Sequence, residues 1–321
     1  MIAGLPQGKE FSELTALVKN GDIVVFVGSG LSSRYTREDL SGYPSWPDLV
    51  DDLCKRCKVS YEPGEVLTKT TTPERLQILA GMAKKADIAG YVQVIQDHFA
   101  KTIVDRKEYY DLLMQIDFHA YVTTNYDPLL AQAAVRTASS PREVCAYPRL
   151  HCGDIALRRV VYLHGYVEEN GKADPEALIL TKDDFDFAYG EEAGGLLLPC
   201  WVSLLKDHNV LFLGCELGET ELAVCFKRCN RLRKAMRKRF NVCPKKRFIL
   251  LPEIEEQTFD DSVDSGARLN MASKRHATIQ RLSEFDVAPI MYDPRDKRHV
   301  GLVEILRDWA PPRPAPMLVA D

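Results

Sequence analysis

Four short stretches place groups capable of chemistry directly after apolar runs. Ile23–Val27 leads into Gly28-Ser29-Gly30-Leu31-Ser32, and Ala120–Thr123 leads into Thr124-Asn125-Tyr126-Asp127. Val160–Leu163 leads into His164-Gly165, and Val210–Leu213 into Gly214-Cys215-Glu216. A glycine turn opening a helix lets backbone amides approach a phosphate. An asparagine amide donates and accepts hydrogen bonds without titrating. An imidazole, with a reference pKa of about 6.5, suits general-base work at neutral pH. Each stretch also has a plain structural reading. Thr-Asn-Tyr-Asp is a common Asx-type turn, Asp127 suits the cap of a helix starting "PLLAQAA", and a histidine after a strand is often a satisfied core residue.

The elements that must bring these groups together are short and β-branched. Strands are expected at Ile23–Val27, Ala120–Thr123, Val160–Leu163, Leu178–Leu180, Val210–Leu213, Phe248–Leu251 and Pro289–Tyr292. Several are continuous apolar runs, as in strands covered on both faces, and they alternate with helix-like stretches. That pattern predicts an α/β fold: a doubly wound, parallel, Rossmann-like sheet, with a helical insertion or cap over about 45–110 after the first strand. In such a sheet ligands bind at the carboxyl ends of the strands, where the four chemical stretches lie. Two nucleotide motifs are disfavoured. "GLPQGK" is one residue short of a P-loop, lacks the hydroxyl after Lys9 and follows no strand. "GSGLSS" has Ser33 at the third glycine of a dinucleotide fingerprint, with no convincing ribose-binding acid, so hydride transfer is disfavoured.

The 321 residues carry a formal charge of −4, so nothing global favours nucleic acid or membrane surfaces. No apolar run reaches the ~20 residues of a membrane span. "LLLPCWVSLL" reads as a buried helix, and the N-terminus has no signal-peptide pattern, so a cytoplasmic protein is expected. Nine scattered cysteines do not form a disulfide framework. The pairs Cys54/Cys57 and Cys225/Cys229 fall on apolar helix faces, which favours core packing over zinc. Residues 227–247 hold eleven basic and no acidic residues, a solvated helix face or a docking surface. The segment from Glu253 to Lys274 reads as a polar, mobile loop, and 311–321 as a proline-rich tail beyond a single domain of about 1–310.

The order "GSGLS", "GYPSW", "TNYD", "LHG", "FLGCELGE" and "APIMYD" resembles the sirtuin-like family, from about Gly21 to Trp309. Within it the chain is most similar to the bacterial antiviral-defence branch, whose members hydrolyse NAD. The resemblance implies an NAD glycohydrolase yielding nicotinamide and ADP-ribose, with NAD as substrate. It implies Asn125 and His164 as catalytic residues. Gly28, Ser29, Gly30 and Ser32 would hold the phosphates, Pro44, Ser45 and Trp46 would cover the nicotinamide side, and Asp127 would bind its carboxamide or brace the loop. Thr124, Gly214, Cys215 and Tyr292 complete the implied cofactor-binding set. Only Cys200 lies between His164 and Gly214, so the four-cysteine zinc module of deacetylases is absent and no zinc is expected. Thr124 stands where deacetylases carry Gln, and Glu216 and Glu219 stand near a family Ser and Asp. The resemblance further implies an NAD-depleting effector in antiphage defence. It would be held in check as a homo-oligomer, or by a separately encoded partner such as a HerA-type ATPase or short Argonaute, with nucleic acid only indirectly involved. An NAD-dependent protein deacylase, a non-enzymatic NAD- or ADP-ribose-sensing module and a nucleic-acid-binding partner of an ATPase stay open as alternatives.

Overall fold

A computed structural model of the chain describes residues 5–33, 35–37, 42–61, 71–100, 103–105, 108–137, 142–156, 158–168, 171–190, 195–218, 220–241, 243–253, 265–295 and 299–311. The strands among them are β1 (Ile23–Val27), β2 (Thr36–Arg37), β3 (Ile103–Asp105), β4 (Ala120–Thr123), β5 (Val144–Ala146), β6 (Val160–Tyr162), β7 (Asn209–Leu213), β8 (Arg247–Pro252) and β9 (Ala288–Tyr292). Seven form one parallel sheet in the order β5-β6-β4-β1-β7-β8-β9. The chain builds outward from β1 on one side, then returns to build the other, so β1 lies at the reversal of strand order. β2 and β3 make a small antiparallel pair apart from this sheet.

Both faces of the sheet are covered. Along β1, Ile23, Val25 and Val27 enter one core cluster, while Val24 and Phe26 enter the other. This is the alternation of a strand with two buried faces. The first cluster receives helix Lys9–Lys19, the helices between β1 and β4, and helix Val300–Trp309. The second receives helix Leu197–Asp207, whose Trp201 ring centroid lies 5.0 Å from that of Phe26. Each such large apolar side chain contributes roughly 1.5–3 kcal/mol on burial. Helices Trp46–Arg56, Pro73–Ala86 and Ile88–Phe99 make the cap region. The first starts where Ser45 and Asp48 form a capping box ahead of Pro47.

The structure departs from the sequence reading at several places. Leu178–Leu180 is buried but joins no strand ladder. Its backbone is taken up by the loop after β6, with the Ile179 amide donating to the His164 carbonyl at 3.0 Å. A fully buried apolar triplet reads as a strand whether or not a ladder receives it. β5 was not expected; it is a three-residue edge strand, half-buried throughout. Residues 265–285 form a helix rather than loop, while 254–264 of that acidic segment lie outside the described residues, as do Glu219 and the tail from 312. Ala267, Arg268, Leu269 and Met271 are good helix formers that the neighbouring acids masked. Cys152 and Cys200 are joined in a disulfide tying the turn Cys152–Ala156 to helix Leu197–Asp207, a bond the scattered cysteines did not announce. No helix among the described residues is long and apolar enough to cross a membrane.

The basic stretch divides in two. Lys227, Arg231, Lys234 and Lys238 are exposed on helix Thr220–Phe240. Arg233 and Arg247 are buried. Arg233 pairs with Asp286 at 3.0 Å and donates to the Lys245 carbonyl. Arg247, 1% exposed, donates to the carbonyls of Leu205 and Phe285, to Asn230 Oδ1 at 2.8 Å and to Cys229 Sγ at 2.9 Å. Burial pushes its pKa down to about 10. The guanidinium thus joins the ends of helices Leu197–Asp207 and Ser265–Phe285 to the middle of Thr220–Phe240. Removing it strands several buried acceptors, each worth roughly 1–3 kcal/mol when unpaired. Arg247→Met is expected to lose at least about 3 kcal/mol of stability, read from the shift of the urea unfolding midpoint; a shift under a third of that would refute the assignment.

Candidate active site

The glycine turn after β1 packs backbone to backbone against the turn after β7. The Gly28 amide donates to the Leu213 carbonyl at 2.8 Å, and the Gly30 amide to the Gly214 carbonyl at 3.0 Å. A Cβ on Gly28 would sit 2.4 Å from the Gly214 oxygen, and one on Gly30 at 2.8 Å. Gly214 itself has φ +65°, where a side chain is strained. These glycines are therefore required for loop packing at the strand ends, whatever ligand approaches. Ser29 is exposed in the short turn that follows, and Cys215 is half-buried, its thiol 3.3 Å from the Leu213 carbonyl.

The turn puts Ser32 beneath the end of β4. Ser32 is 1% exposed and is a hub rather than an open phosphate ligand. Asn125 Nδ2 donates to its Oγ at 3.0 Å, and the Tyr110 hydroxyl lies 2.7 Å away. Ser32 also hydrogen-bonds the Asp127 carboxylate. With Asp127 ionised, Ser32 donates to it while accepting from Asn125 and Tyr110. Thr123 anchors the loop: its Oγ1 donates to the Val27 carbonyl at 2.7 Å and accepts from the Asn125 amide at 3.0 Å. Asp127 Oδ1 accepts from the Leu129 amide at 3.2 Å, so it also caps helix Leu129–Thr137. Burial pushes its pKa up to about 6, against the hydrogen bonds from Ser32, the Leu129 amide and its own amide.

His164 follows β6, the neighbour of β4, but its partners are different. Its Nε2 lies 2.8 Å from the Tyr189 hydroxyl, which also receives Trp201 Nε1–H at 3.0 Å. The Phe185 and Tyr189 rings meet it edge-on at 5.3 and 5.9 Å. Gly165 adopts φ +74°, and a Cβ there would fall 1.9 Å from the Ala177 carbonyl, so only glycine allows this turn. Burial drives the imidazole pKa down to about 3. The reference value near 6.5 thus does not hold in this arrangement: His164 is neutral at physiological pH.

Asn125 and His164 therefore sit on adjacent strand ends in two separate hydrogen-bond networks. Tyr126, next to Asn125 in the chain, has its ring 6.5 Å from that of His164 and, stacked, 6.5 Å from that of Trp46. Its hydroxyl donates to the Ile179 carbonyl at 2.6 Å. Trp46, Pro44 and Thr124 are half-buried near this aromatic wall or its flanking loops. Tyr292 is elsewhere: it ends the edge strand β9, its hydroxyl 2.5 Å from His299 Nδ1. Glu216 is exposed. Cys54, Cys57, Cys225 and Cys229 are buried in apolar clusters, and no group of three or more His, Cys, Asp or Glu among the described residues is placed to hold a metal. Tyr110, Tyr126, Phe185, Tyr189 and Trp201 were not anticipated as site residues. Only the Phe185/Tyr189 spacing of four on a helix gave a hint, as a shared face.

The two titratable groups act oppositely on stability. The folded-state pKa of Asp127 is raised, so its contribution is present at low pH and lost as pH rises through about 6. That of His164 is lowered, so its contribution is present above about 6.5 and lost as pH falls toward about 3. Going from pH 7 to pH 5, His164→Gln is expected to gain about 2 kcal/mol relative to the native chain, and Asp127→Asn to lose about 1 kcal/mol. Denaturant unfolding at the two pH values checks this. Parallel pH dependences for all three proteins would show that neither group carries the shift.

Residues 119–269 match the SIR2-like domain family. Over 293 residues, 89% of the chain, the sequence is 23% identical to the NAD(+) hydrolase ThsA of Enterococcus faecium, covering 54% of that protein. It is 24% identical over 224 residues to defense-associated sirtuin 2 of Bacillus subtilis, covering 69% of the chain and 20% of the relative. The chain thus spans about half the length of the first relative and a fifth of the second. A Sir2 homologue solved with NAD superposes with a TM-score of 0.42 at 11% identity, over 95% of each chain. The chain is thus similar to SIR2-like domains over residues 119–269, and to these sirtuin-like relatives over most of its length.

Proposed function

We propose that the protein is an NAD glycohydrolase. One observation carries the reading: the amide and the buried imidazole stand at adjacent strand ends beside a glycine turn, in a chain similar over 89% of its length to an NAD(+) hydrolase. In the reaction the bond between the ribose C1′ and the pyridinium nitrogen breaks, and its electron pair neutralises the departing nicotinamide. Water oxygen bonds to C1′ and releases a proton. Asn125 would orient a ribose hydroxyl or the water, and His164 would take the proton. Both roles require the resting networks to open. Asn125 must leave Ser32, and His164 must gain polar surroundings that restore its basicity. The half-buried stack of Trp46 and Tyr126 offers a flat apolar wall for the pyridine ring. Gly28, Ser29, Gly30, Gly214 and Cys215 would line the diphosphate.

A role as an NAD-depleting effector in defence, restrained by self-association or a partner, rests on the relatives. The exposed cations Lys227, Arg231, Lys234 and Lys238 are the surface we assign to that contact. Their spacing of four, three and four places them in one stripe of the helix. Arg233 is excluded from it by burial.

Incubation of the purified protein with NAD, followed by chromatography, is expected to release nicotinamide and ADP-ribose without any acyl-peptide. Asn125→Ala and His164→Ala are each expected to lower turnover at least ~10²-fold, the low end for an acid–base group; native-like turnover in both would reassign the site. Lys227→Glu/Arg231→Glu/Lys234→Glu is expected to dissociate the assembly in analytical ultracentrifugation, and an unaltered sedimentation profile would remove that surface from consideration.

A further inference from the structure

Tyr189 closes helix Lys182–Tyr189, which starts at a capping box formed by Thr181 and Asp184. Its ring stacks on Phe185 at 5.8 Å with planes 13° apart. Its hydroxyl meets two nitrogens from different elements: His164 Nε2 at 2.8 Å and Trp201 Nε1 at 3.0 Å. Trp201 is fully buried against Phe26 of β1, and its neighbour Cys200 is tied to Cys152. The donor thus comes from a buried helix, and the ring stack from the helix that carries Tyr189.

An indole N–H only donates. The Tyr189 oxygen therefore accepts from Trp201. Accepting one hydrogen bond polarises a hydroxyl and makes it a stronger donor, since linked hydrogen bonds reinforce one another. His164 is neutral in this pocket, so one ring nitrogen carries a proton and the other a lone pair. Directed at Nε2, a strengthened O–H would select the lone pair there. We propose that Tyr189 is a positioning residue for His164: its hydroxyl, polarised by Trp201, holds Nε2 as an acceptor and fixes the imidazole proton on Nδ1.

The inference rests on His164 serving the proposed hydrolytic site, and it refines what the resting site can do. With Nε2 occupied, the imidazole presents Nδ1–H, a donor able to orient a hydroxyl or water oxygen. It becomes a base at Nε2 only when the Tyr189 hydroxyl turns away. Phe185 meets the His164 ring edge-on at 5.3 Å.

The test is long-range proton–nitrogen correlation spectroscopy on protein labelled with nitrogen-15 histidine, with the His164 signals assigned by their loss in His164→Gln. The native protein is expected to show protonated Nδ1 and acceptor Nε2. Tyr189→Phe keeps the stack on Phe185 but lacks the donor; it is expected to shift the tautomer toward Nε2–H and to reduce kcat for NAD about tenfold, the scale of one lost hydrogen bond, with KM little altered. Trp201→Phe, which removes the polarising donor together with part of the buried indole, is expected to move the tautomer in the same direction by less. An Nε2–H tautomer in the native protein would overturn the proposal, as would a Tyr189→Phe spectrum identical to the native one. A tautomer shift with unchanged kcat would overturn the role in turnover. If the native protein shows no hydrolysis, the spectrum still decides the tautomer, and the failure belongs to the hydrolase reading.

Discussion

The backbone contact between the turns after β1 and β7 is the constraint on which the site depends. With the Gly30 amide on the Gly214 carbonyl and no room for a Cβ on either side, the chain leaving β1 follows one path. That path delivers Ser32 to the end of β4, where it meets Asn125, Asp127 and Tyr110. Ser32 then couples the glycine turn to the amide-bearing loop through hydrogen bonds shielded from water. A side chain at Gly28 or Gly214 would displace the turn, and the buried partners of Ser32 would lose it together. In a dry interior, an unpaired polar group is destabilising enough that such a network tends to be kept whole or lost whole.

Burial then sets the chemistry of the two ionisable groups in opposite senses. Both are removed from water, which disfavours whichever form is charged. For Asp127 that raises the pKa to about 6; for His164 it lowers it to about 3. The resting site is therefore close to electrically neutral under mildly acidic conditions. It holds its amide and imidazole in internal hydrogen bonds. A ligand that replaces those bonds has to compensate for them, and the same exchange restores polarity around the imidazole. The closed site and a ligand-bound one are then two arrangements of one set of hydrogen bonds.

Much of the scaffold was legible because continuous apolar runs announce strands covered on both faces. β1, β4, β6, β7, β8 and β9 fall on such runs, give or take a residue at each end. The same signal misled at Leu178–Leu180, where burial comes from a loop and its backbone bonds go elsewhere. The clustering of strand-end groups was legible too, since a parallel sheet sends all its carboxyl ends to one edge. Their partners were not. A small hydroxyl after two glycines looks like a phosphate ligand, and nothing local says that Ser32 turns inward beneath Asn125. Tyr189 lies 25 residues from His164, and Trp201 read only as filling for a buried helix. Such pairings are tertiary facts, set by how the helix Lys182–Tyr189 lies over the sheet. Arg233 and Arg247 show the same limit: charge runs reveal where cations are, and burial alone separates the solvated ones from those holding helix ends.

That separation leaves the molecule electrically lopsided. Eleven positive charges fall in 227–247 while the chain as a whole carries −4, so the remainder carries −15. The exposed part of that positive charge lies along one solvent-facing helix. A cationic stripe of this kind attracts an acidic neighbour before contact, so the frequency of encounters with one falls with added salt.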